Sequence, residues 1–377
     1  LAIHKPPEKT SAQILRDVKP QFNKSDLFAP WFAAEQERHA QDPTWKKKYK
    51  RKGGFDIKIG HGGTLDPMAT GVLIVGVGRG TKSLSNFLGC TKSYEATLLF
   101  GAATDTYDST GKIVKRAPYA HLTRDTVEKA LEQFRGKIMQ RPPIFSALRV
   151  NGKRMYEYAR EGKELPREIV ERPVEVIELE VVEWMEGGTH DFKYPEEEAD
   201  AETKKAAEAL IGSGLDRADD GKDGEVKEKS SGQEEHQEKD SHAEGDPTDP
   251  TITTLPEDTT DPTIKTPLPE AGDSTSAAAQ ATPETPEQSA PPAVKLRMTV
   301  TSGFYVRSLC HNLAEAVGSL GMMSALVRSR QGDFELGKNV VEYEEFEKGE
   351  EVWGPQVRSM LTDWQEKCAA AQADEEG

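Results

Sequence analysis

The feature that most constrains the fold of this chain of 377 residues is the segment 195–294, which contains no Phe, Tyr or Trp. The segment is rich in Glu, Asp, Thr, Pro and Ser. Such a composition cannot bury enough apolar surface to offset the entropy lost on folding, so we expect the segment to be disordered. Because neither flank looks complete alone, the pattern predicts an insertion within one folded domain.

The predicted organisation is therefore one domain formed by residues 1–194 and 295–341, the disordered acidic insertion 195–294 and an acidic C-terminal tail, 342–377. Within the first part, residues 24–54 are polar and form a basic insertion that includes the lysine run at 46–52. Taken alone, this run is typical of a solvated loop. Beside an RNA site, it would become a phosphate-binding arm.

The net charge of the whole chain is −16 at pH 7, which by itself argues against a nucleic-acid partner. The charge is unevenly placed. Segment 195–294 holds 26 acidic and 8 basic residues, and segment 342–377 holds 11 acidic and 3 basic residues. The rest of the chain has 38 basic and 28 acidic residues. The foldable part is therefore basic, which is compatible with RNA binding.

The cysteines are few and far apart: Cys90, Cys310 and Cys368. They form no CxxC motif or Cys/His cluster, so we expect no structural zinc site and a reducing compartment.

No apolar run approaches the roughly 20 residues of a membrane span, so we expect no membrane partner. The chain begins at Leu1 rather than Met, which leaves open whether a targeting segment preceded it.

The spacing of apolar residues predicts an irregular mixture of strands and helices. Residues 1–19 are typical of a strand, a turn and a helix, with Thr10 and Ser11 as candidate caps. Further strands are predicted at 55–59, 94–100, 174–184 and 296–300, and helices at 127–134 and 309–317. This order indicates the α+β class with a mixed sheet.

Asp66 is the first candidate for chemistry, because it follows a predicted strand within a glycine-rich turn and precedes Pro67. Glycines in such a turn allow close backbone approach and unusual dihedral angles. A carboxylate held there can act as a nucleophile or base. A turn aspartate that bonds only its own backbone is the structural alternative, and these local features leave both interpretations open.

A nucleotide-binding loop is the rival interpretation for these glycines, and the spacing excludes it. The phosphate loop needs GxxxxGK[ST], whereas Gly80, Thr81 and Lys82 place Thr before Lys. The glycines at 76–80 also miss the dinucleotide pattern GxGxxG. We therefore expect no nucleotide cofactor.

Three other residues have both a structural and a functional interpretation. Tyr94 begins a predicted strand and is typical of a half-buried residue, yet an aromatic ring can also stack on an unstacked base. Arg307 is either a surface arginine or the partner of a carboxylate whose pKa it lowers. His61 is either a loop residue or part of the site formed around Asp66.

Several segments together resemble one family, the TruB-type tRNA pseudouridine synthases, and most closely its eukaryotic, fungal-type members. The segments are Lys5-Pro6 with Thr10-Ser11, GHGGTLDPMATGVL at 60–73, GTK at 80–82, KSY at 92–94, GAATDTYD at 101–108, QRPP at 140–143, FSAL at 145–148, KRMYEYAR at 153–160 and GFYVR at 303–307. One departure is Phe145, where many bacterial members carry Tyr. A second is that the short acidic stretch after Leu336 leaves no complete PUA domain.

The resemblance implies a pseudouridine synthase fold with a mixed, mostly antiparallel central sheet flanked by helices and loops. It also implies roles for residues. Asp66 aligns with the catalytic aspartate, Tyr94 with the tyrosine that stacks on the target base, and Arg307 with the arginine that pairs with the aspartate. His61 aligns with a histidine near the flipped nucleotide. The remaining predicted RNA-binding residues are Lys82, Tyr305 and Leu326 by alignment, and Lys46, Lys47 and Lys48 by charge.

The activity that the resemblance implies is isomerisation of uridine to pseudouridine in tRNA, at uridine 55 of the T-arm. We expect a monomer that needs no cofactor or metal and works in the nucleus, the mitochondrion or both, with the cytoplasm as a further alternative. The competing hypothesis is a tRNA-binding folding chaperone without turnover. A phosphate-handling enzyme is disfavoured by the loop spacing, and a structural protein by the lack of heptads or repeats.

Overall fold

The computed structural model describes residues 1–38, 56–146, 148–160, 166, 169–201, 203–204 and 290–376. The strands are β1 (Ala2–Lys5), β2 (Ile59–His61), β3 (Thr70–Val77), β4 (Lys92–Phe100), β5 (Ala102–Thr104), β6 (Ile113–Arg116), β7 (Gly136–Gln140), β8 (Arg149–Val150), β9 (Lys153–Arg154), β10 (Arg172–Met185), β11 (Ala293–Val300), β12 (Gly321–Gln331), β13 (Phe334–Glu335) and β14 (Val341–Glu342). The helices are α1 (Ser11–Lys24), α2 (Ala29–Arg38), α3 (Leu84–Gly89), α4 (Arg124–Leu131), α5 (Met155–Arg160), α6 (Val306–Ala316) and α7 (Glu350–Glu376), with short 3₁₀ helices at Gly78–Ser83, Glu132–Phe134 and Tyr343–Lys348.

A single large sheet organises the domain. Its main strand order is β14-β1-β3-β12-β4-β11-β10-β7, with β2 on β3 and β13 on β12. The pairs β1–β14 and β12–β3 are parallel, and the other pairs in this sheet are antiparallel. The prediction of an α+β fold with a mixed, mostly antiparallel sheet is confirmed.

The sheet joins the two parts of the chain that flank the predicted insertion. Strand β11 lies between β10, which precedes the insertion, and β4. Its register places Met298 opposite Tyr94 and Leu179. Strand β12 then pairs with β4 on that strand's other edge. Because neither part can complete the sheet alone, the prediction of one discontinuous domain agrees with the strand order.

The edges predicted for the acidic insertion are wrong. Strand β11 begins at Ala293, inside the predicted segment. At the other edge, the Ile113 N–H donates to the Glu197 carbonyl (2.9 Å), and the Ala199 N–H donates to the Ile113 carbonyl (2.9 Å). The Ala199 side chain is buried. Short edge pairs form through the backbone, so aromatic composition does not reveal them. Residues 205–289, where most of the predicted disorder falls, lie outside the described residues.

The beginning of the predicted basic insertion is also part of the folded domain. Helix α1 is capped by Thr10, whose hydroxyl accepts from the Gln13 N–H (3.1 Å), as the sequence predicted. After this helix, Phe28 is buried and contacts Phe22 with ring centroids 4.9 Å apart. The polar composition of residues 24–54 as a whole does not indicate that Phe28 is buried. The lysines at 46–48 lie outside the described residues.

The acidic C-terminal segment is not a peripheral tail. Helix α7 follows the 3₁₀ helix after β14 and joins a hydrophobic cluster with α1, in which Trp353 and Val357 are fully buried. The Trp353 ring lies 5.5 Å from both the Phe22 and Phe346 rings, centroid to centroid. The acidic content of 342–377 predicts a peripheral tail, and this prediction is wrong because one apolar helix face is enough to anchor such a segment.

None of the described helices has the length and apolar character that a transmembrane helix requires.

Replacement of Trp353 by Ala tests the structural role of α7. Because Trp353 is 1% exposed and packs on two aromatic rings, we expect unfolding to become easier by about 3–5 kcal/mol. The measurement is the free energy of unfolding in urea. The control is Thr362→Ala, an exposed position on the same helix, for which we expect little change. Equal effects for the two variants would contradict a core role for α7.

Candidate active site

The loop between β2 and β3 carries Asp66, and buried polar side chains hold this loop. The Ser11 hydroxyl accepts from the Leu65 N–H (2.9 Å) and lies 3.1 Å from the Leu65 carbonyl oxygen, to which it donates. The Gln331 amide donates to the Gly62 carbonyl (2.5 Å), and the Arg328 guanidinium donates to the Gly63 carbonyl (3.3 Å). Since Ser11 belongs to α1 and the other two side chains to β12, elements distant in sequence fix the loop from two sides.

The residues after Asp66 are fixed as tightly as those before it. The Asp66 carbonyl accepts from the Ala69 N–H (3.1 Å), which closes a turn around Pro67. The ammonium group of Lys5, which is fully buried, donates to the Pro67 carbonyl (3.0 Å) and to two carbonyls of its own β1–α1 turn. This turn bond uses the backbone carbonyl of Asp66, whereas the structural alternative had the side chain bonding its own backbone. The carboxylate pairs with Arg307 instead.

The glycine-rich character of the loop has a specific cause at Gly71. Its φ angle is +110°, a conformation that side-chain-bearing residues rarely adopt. A Cβ atom there would also lie 2.7 Å from the Arg328 nitrogen and 2.8 Å from the Arg328 carbonyl carbon. The parallel pairing of Gly71 with Arg328 of β12 therefore requires glycine, and this pairing sets where β3 begins after the Asp66 turn.

The Asp66 carboxylate forms a two-pronged ion pair with Arg307 of α6. The Nε–Oδ2 distance is 3.1 Å, and Nη2 donates to Oδ1 at 3.3 Å. The Arg307 side chain is only 8% exposed, whereas that of Asp66 is 32% exposed. A substrate can therefore reach the carboxylate while the guanidinium stays covered. The structure brings together the two residues that the sequence paired.

Three further acceptors aim the Arg307 guanidinium. Its nitrogens donate to the carbonyls of Thr106 (3.1 Å) and Phe145 (2.8 Å), and Nη1 lies 3.4 Å from Asp108 Oδ2. A planar guanidinium surrounded by acceptors on several edges has little rotational freedom. Phe145, noted as a departure from bacterial members, contributes here through its backbone oxygen, which any residue would supply.

Asp108 is the site residue that sequence reasoning missed. It is buried, and its Oδ1 accepts from the Thr106 hydroxyl (2.8 Å), the Thr110 hydroxyl (2.6 Å) and the Thr110 N–H (3.0 Å). Its other oxygen faces Arg307. The signal available in the sequence was an aspartate among threonines in the segment TDTYDST at 104–110, which is typical of a carboxylate held by hydroxyl donors.

Burial raises the pKa of the Asp66 carboxyl, while the Arg307 guanidinium lowers it and the Asp108 carboxylate raises it further. Lys5 and Arg328 contribute smaller lowering effects, and the net direction is upward. The prediction that Arg307 lowers the pKa of its partner agrees with the direction of its effect on Asp66. The net pKa is nevertheless raised, because the loss of hydration outweighs the ion pair. The carboxylate is thus poorly hydrated, which favours its reaction as a nucleophile or base once ionised.

The predicted stacking residue, Tyr94, lies in a hydrophobic cluster that also holds neighbours of Asp66 in the chain. Tyr94 is buried on β4 in the same hydrophobic cluster as Leu65 and Ala69, which flank Asp66 in the loop. Leu326, a predicted pocket residue, belongs to that cluster as well, on the neighbouring strand β12. Tyr94 and Leu326 therefore lie in the same hydrophobic cluster.

The other predicted RNA-binding residues lie on separate elements. His61 ends β2 and is partly buried, and Lys82 is exposed in the 3₁₀ helix after β3. Tyr305 caps α6, where its N–H donates to the Gln140 side-chain oxygen (2.7 Å) and its carbonyl accepts from the Gln140 amide (3.0 Å). These three residues therefore lie on β2, in the 3₁₀ helix after β3 and at the start of α6. The described residues contain no group of three or more His, Cys, Asp or Glu that could hold a metal ion.

Comparison with known proteins gives consistent results. A sequence profile described as the TruB family pseudouridylate synthase N-terminal domain matches residues 46–198. The chain is 38% identical over 377 residues to tRNA pseudouridine synthase 4 of Schizosaccharomyces pombe, covering 98% of this chain and 84% of the relative. It is 32% identical to tRNA pseudouridine synthase 4 of Saccharomyces cerevisiae, covering 96% of this chain and 84% of the relative.

A solved structure described as a Cbf5-Nop10-Gar1 complex superposes with a TM-score of 0.42 at 17% identity, covering 91% of this chain and 52% of the matched chain. A likeness at that level says nothing about substrates or partners.

Replacement of Gly71 by Ala tests how the Asp66 loop is held. Because the new methyl group would meet the Arg328 backbone at a positive φ, we expect a destabilisation of at least about 2 kcal/mol. Thermal unfolding measures it. Gly80→Ala is the matched control, since no atom lies within 4 Å of a Cβ there. A Gly71→Ala protein as stable as the Gly80→Ala protein would show that the β3–β12 pairing tolerates a side chain.

Proposed function

The chain belongs to the TruB family of pseudouridylate synthases, and from this premise we infer that it is an enzyme that isomerises uridine to pseudouridine in tRNA. The observation that carries the inference is the Asp66–Arg307 ion pair: a poorly hydrated, reachable carboxylate held by a covered guanidinium. The relatives that match nearly the whole chain are named as tRNA pseudouridine synthases, which supports tRNA as the substrate.

We propose that the target is uridine 55 of the T-arm. This finer assignment is supported by the resemblance of the loop GHGGTLDPMATGVL at 60–73 to family members that modify this position. The target base is stacked within a folded arm, so the enzyme must flip it out, at a cost of a few kcal/mol. Stacking on an aromatic ring contributes about 1–3 kcal/mol per base, and we propose that Tyr94 supplies that ring.

The reaction needs no imported group. The bond between N1 and C1′ breaks, the bond between C5 and C1′ forms, C5 loses a proton and N1 gains one. No net oxidation occurs, so no redox cofactor is consumed. We propose that Asp66 attacks C1′, assists a glycal route by removing a proton at C2′, or adds to C6 of the base. The partly exposed carboxylate, held by Arg307, is compatible with all three routes.

Further aspects of the proposal concern partners and location. We propose that the protein acts as a monomer on the T-arm, in the nucleus, the mitochondrion or both, with the cytoplasm as a further alternative. The free state of Cys90, Cys310 and Cys368 supports a reducing compartment. Imaging of a tagged full-length protein tests the location, and light scattering with and without tRNA tests the monomer.

Mapping of pseudouridine on an unmodified tRNA transcript tests the function. We expect the purified chain, without added cofactor, to convert the T-arm uridine. The Asp66→Asn protein should bind the tRNA nearly as tightly and convert none, because the amide keeps the shape of the side chain and removes its charge. Tight binding by the wild-type protein without conversion would instead support the chaperone alternative. Conversion by Asp66→Asn near the wild-type rate would exclude Asp66 as the catalyst.

Neutralisation of the lysine run tests the proposed RNA-binding arm. We propose that Lys46, Lys47 and Lys48 contact tRNA phosphates, because each cation that neutralises a phosphate releases a counterion. Replacing the three by Gln should weaken tRNA binding and flatten its dependence on salt by about 0.7–0.9 in slope per lost contact. The matched control replaces three exposed lysines outside this run: Lys129, Lys137 and Lys338. A salt slope equal to that of the wild type would exclude the arm.

A further inference from the structure

The face of α6 that carries Arg307 continues with two more polar side chains. Arg307, His311 and Glu315 are spaced by four residues, so they lie along one stripe of the helix. The His311 side chain is only 4% exposed and that of Glu315 is 18% exposed. No step of the reaction proposed above uses either residue.

The loop that aims Arg307 crosses this stripe and meets it at Tyr107. The Tyr107 ring stacks face to face on the His311 imidazole, with centroids 4.0 Å apart and planes inclined by 8°. The residues on either side of Tyr107 are Thr106 and Asp108, which both contact the Arg307 guanidinium. One helix face therefore contacts three consecutive residues of the loop.

The backbone of Tyr107 adopts a conformation that needs external support. Its φ angle is +63°, in the left-handed region that an aromatic residue rarely occupies. Such residues persist where surrounding contacts hold them. The backbone contributes two of these contacts: the Tyr107 N–H donates to the Thr104 carbonyl (3.2 Å), and the Tyr107 carbonyl accepts from the Met323 N–H (3.0 Å). The stack on His311 is the contact that holds the ring.

The contact between His311 and Tyr107 is a ring stack rather than an ion pair. Burial lowers the pKa of His311 to about 4, so the imidazole is neutral near pH 7. Its Nε2 lies 3.6 Å from Glu315 Oε1, which is longer than a hydrogen bond, and burial raises the pKa of Glu315 to about 7. Its Nδ1 has no hydrogen-bond partner within the described part of the chain. The face of the imidazole ring, which stacks on Tyr107, is therefore the part of His311 that contacts the loop.

We propose that His311 is a positioning residue for uridine isomerisation: its ring holds Tyr107, and through it the Thr106 carbonyl and the Asp108 carboxylate, against Arg307. The guanidinium then stays aimed at Asp66. This inference rests on the proposed function. It explains why a buried histidine whose Nδ1 has no hydrogen-bond partner among the described residues lies one helical turn from the arginine, where an aliphatic residue would fill the same space.

The test compares His311→Ala, which removes the ring, with His311→Phe, which keeps a flat aromatic ring. Cys310→Ala is the control, because Cys310 is fully buried on the same helix and its truncation reports the effect of a packing defect there. For each protein, kcat, KM for tRNA, the thermal midpoint and the pH profile of kcat/KM are measured. Tyr107→Leu removes the other ring of the stack and is a second, independent test of the same contact.

We expect the His311 variants to change kcat and the pH profile in a way that a simple packing defect would not produce. In His311→Ala we expect kcat to fall at least about tenfold while KM changes by less than about threefold, because a misaimed guanidinium affects chemistry more than binding. The acid limb of kcat/KM should move to higher pH. The charged groups that face Asp66 are Arg307, Asp108, Lys5 and Arg328, and of these the displaced Arg307 makes the largest contribution that lowers its pKa. His311→Phe should restore both quantities.

The contrary results are equally specific. An acid limb that stays in place in both His311→Ala and Tyr107→Leu would overturn the inference. So would a His311→Phe protein that folds and is as slow as His311→Ala, or losses that match those of Cys310→Ala. If the wild-type protein converts no uridine, the proposed function fails instead. The pKa of the Asp66 carboxyl, measured by carbon-13 NMR in the free proteins, then decides: no upward shift in His311→Ala overturns the positioning role.

Discussion

The ion pair between Asp66 and Arg307 determines much of the rest of the structure. The two residues are 241 positions apart, on opposite sides of the acidic insertion, yet their charged groups lie 3.1 Å from each other. For them to meet, the loop after β2 and the start of α6 must be fixed to a common sheet. Strands β4, β11 and β12 provide this connection, because β4 precedes the insertion and the other two follow it. Strands from before and after the predicted insertion therefore lie side by side in one sheet.

Burial and a neighbouring positive charge shift the pKa of Asp66 in opposite directions. Taking Asp66 out of water raises its pKa, and the Arg307 guanidinium opposes that rise without cancelling it. Arg307 is in turn held by carbonyls from two loops and by Asp108, so its position is defined before any RNA arrives. Because these groups are already oriented, they need not rearrange during the reaction. Fixed dipoles and charges lower an activation barrier in this way. The aligned His311–Tyr107 rings extend this organisation one helical turn further.

The sequence predicted the parts of this arrangement that depend on local pattern and family resemblance. The strand-and-helix mixture, the Thr10 cap and the pairing of Asp66 with Arg307 could all be inferred. Asp108 could not be placed, because nothing in its neighbourhood indicates that Arg307 packs on that loop. The packing of α7 was missed for a different reason: a high average of acidic residues concealed Trp353 on one helix face. The sequence also could not predict that the pKa of Asp66 is raised overall, because a pair of opposite charges does not reveal how deeply the carboxyl is buried.

The central claim is that burial and Arg307 act on Asp66 in opposite directions, with burial prevailing. Carbon-13 NMR of the free protein, labelled at aspartate carboxyls and assigned by comparison with Asp66→Asn, measures the pKa of this group directly. The account predicts a pKa above the ordinary aspartate value of about 3.9, and a still higher one in Arg307→Gln. A pKa at or below the ordinary value, or one that does not change when Arg307 is replaced, would contradict it.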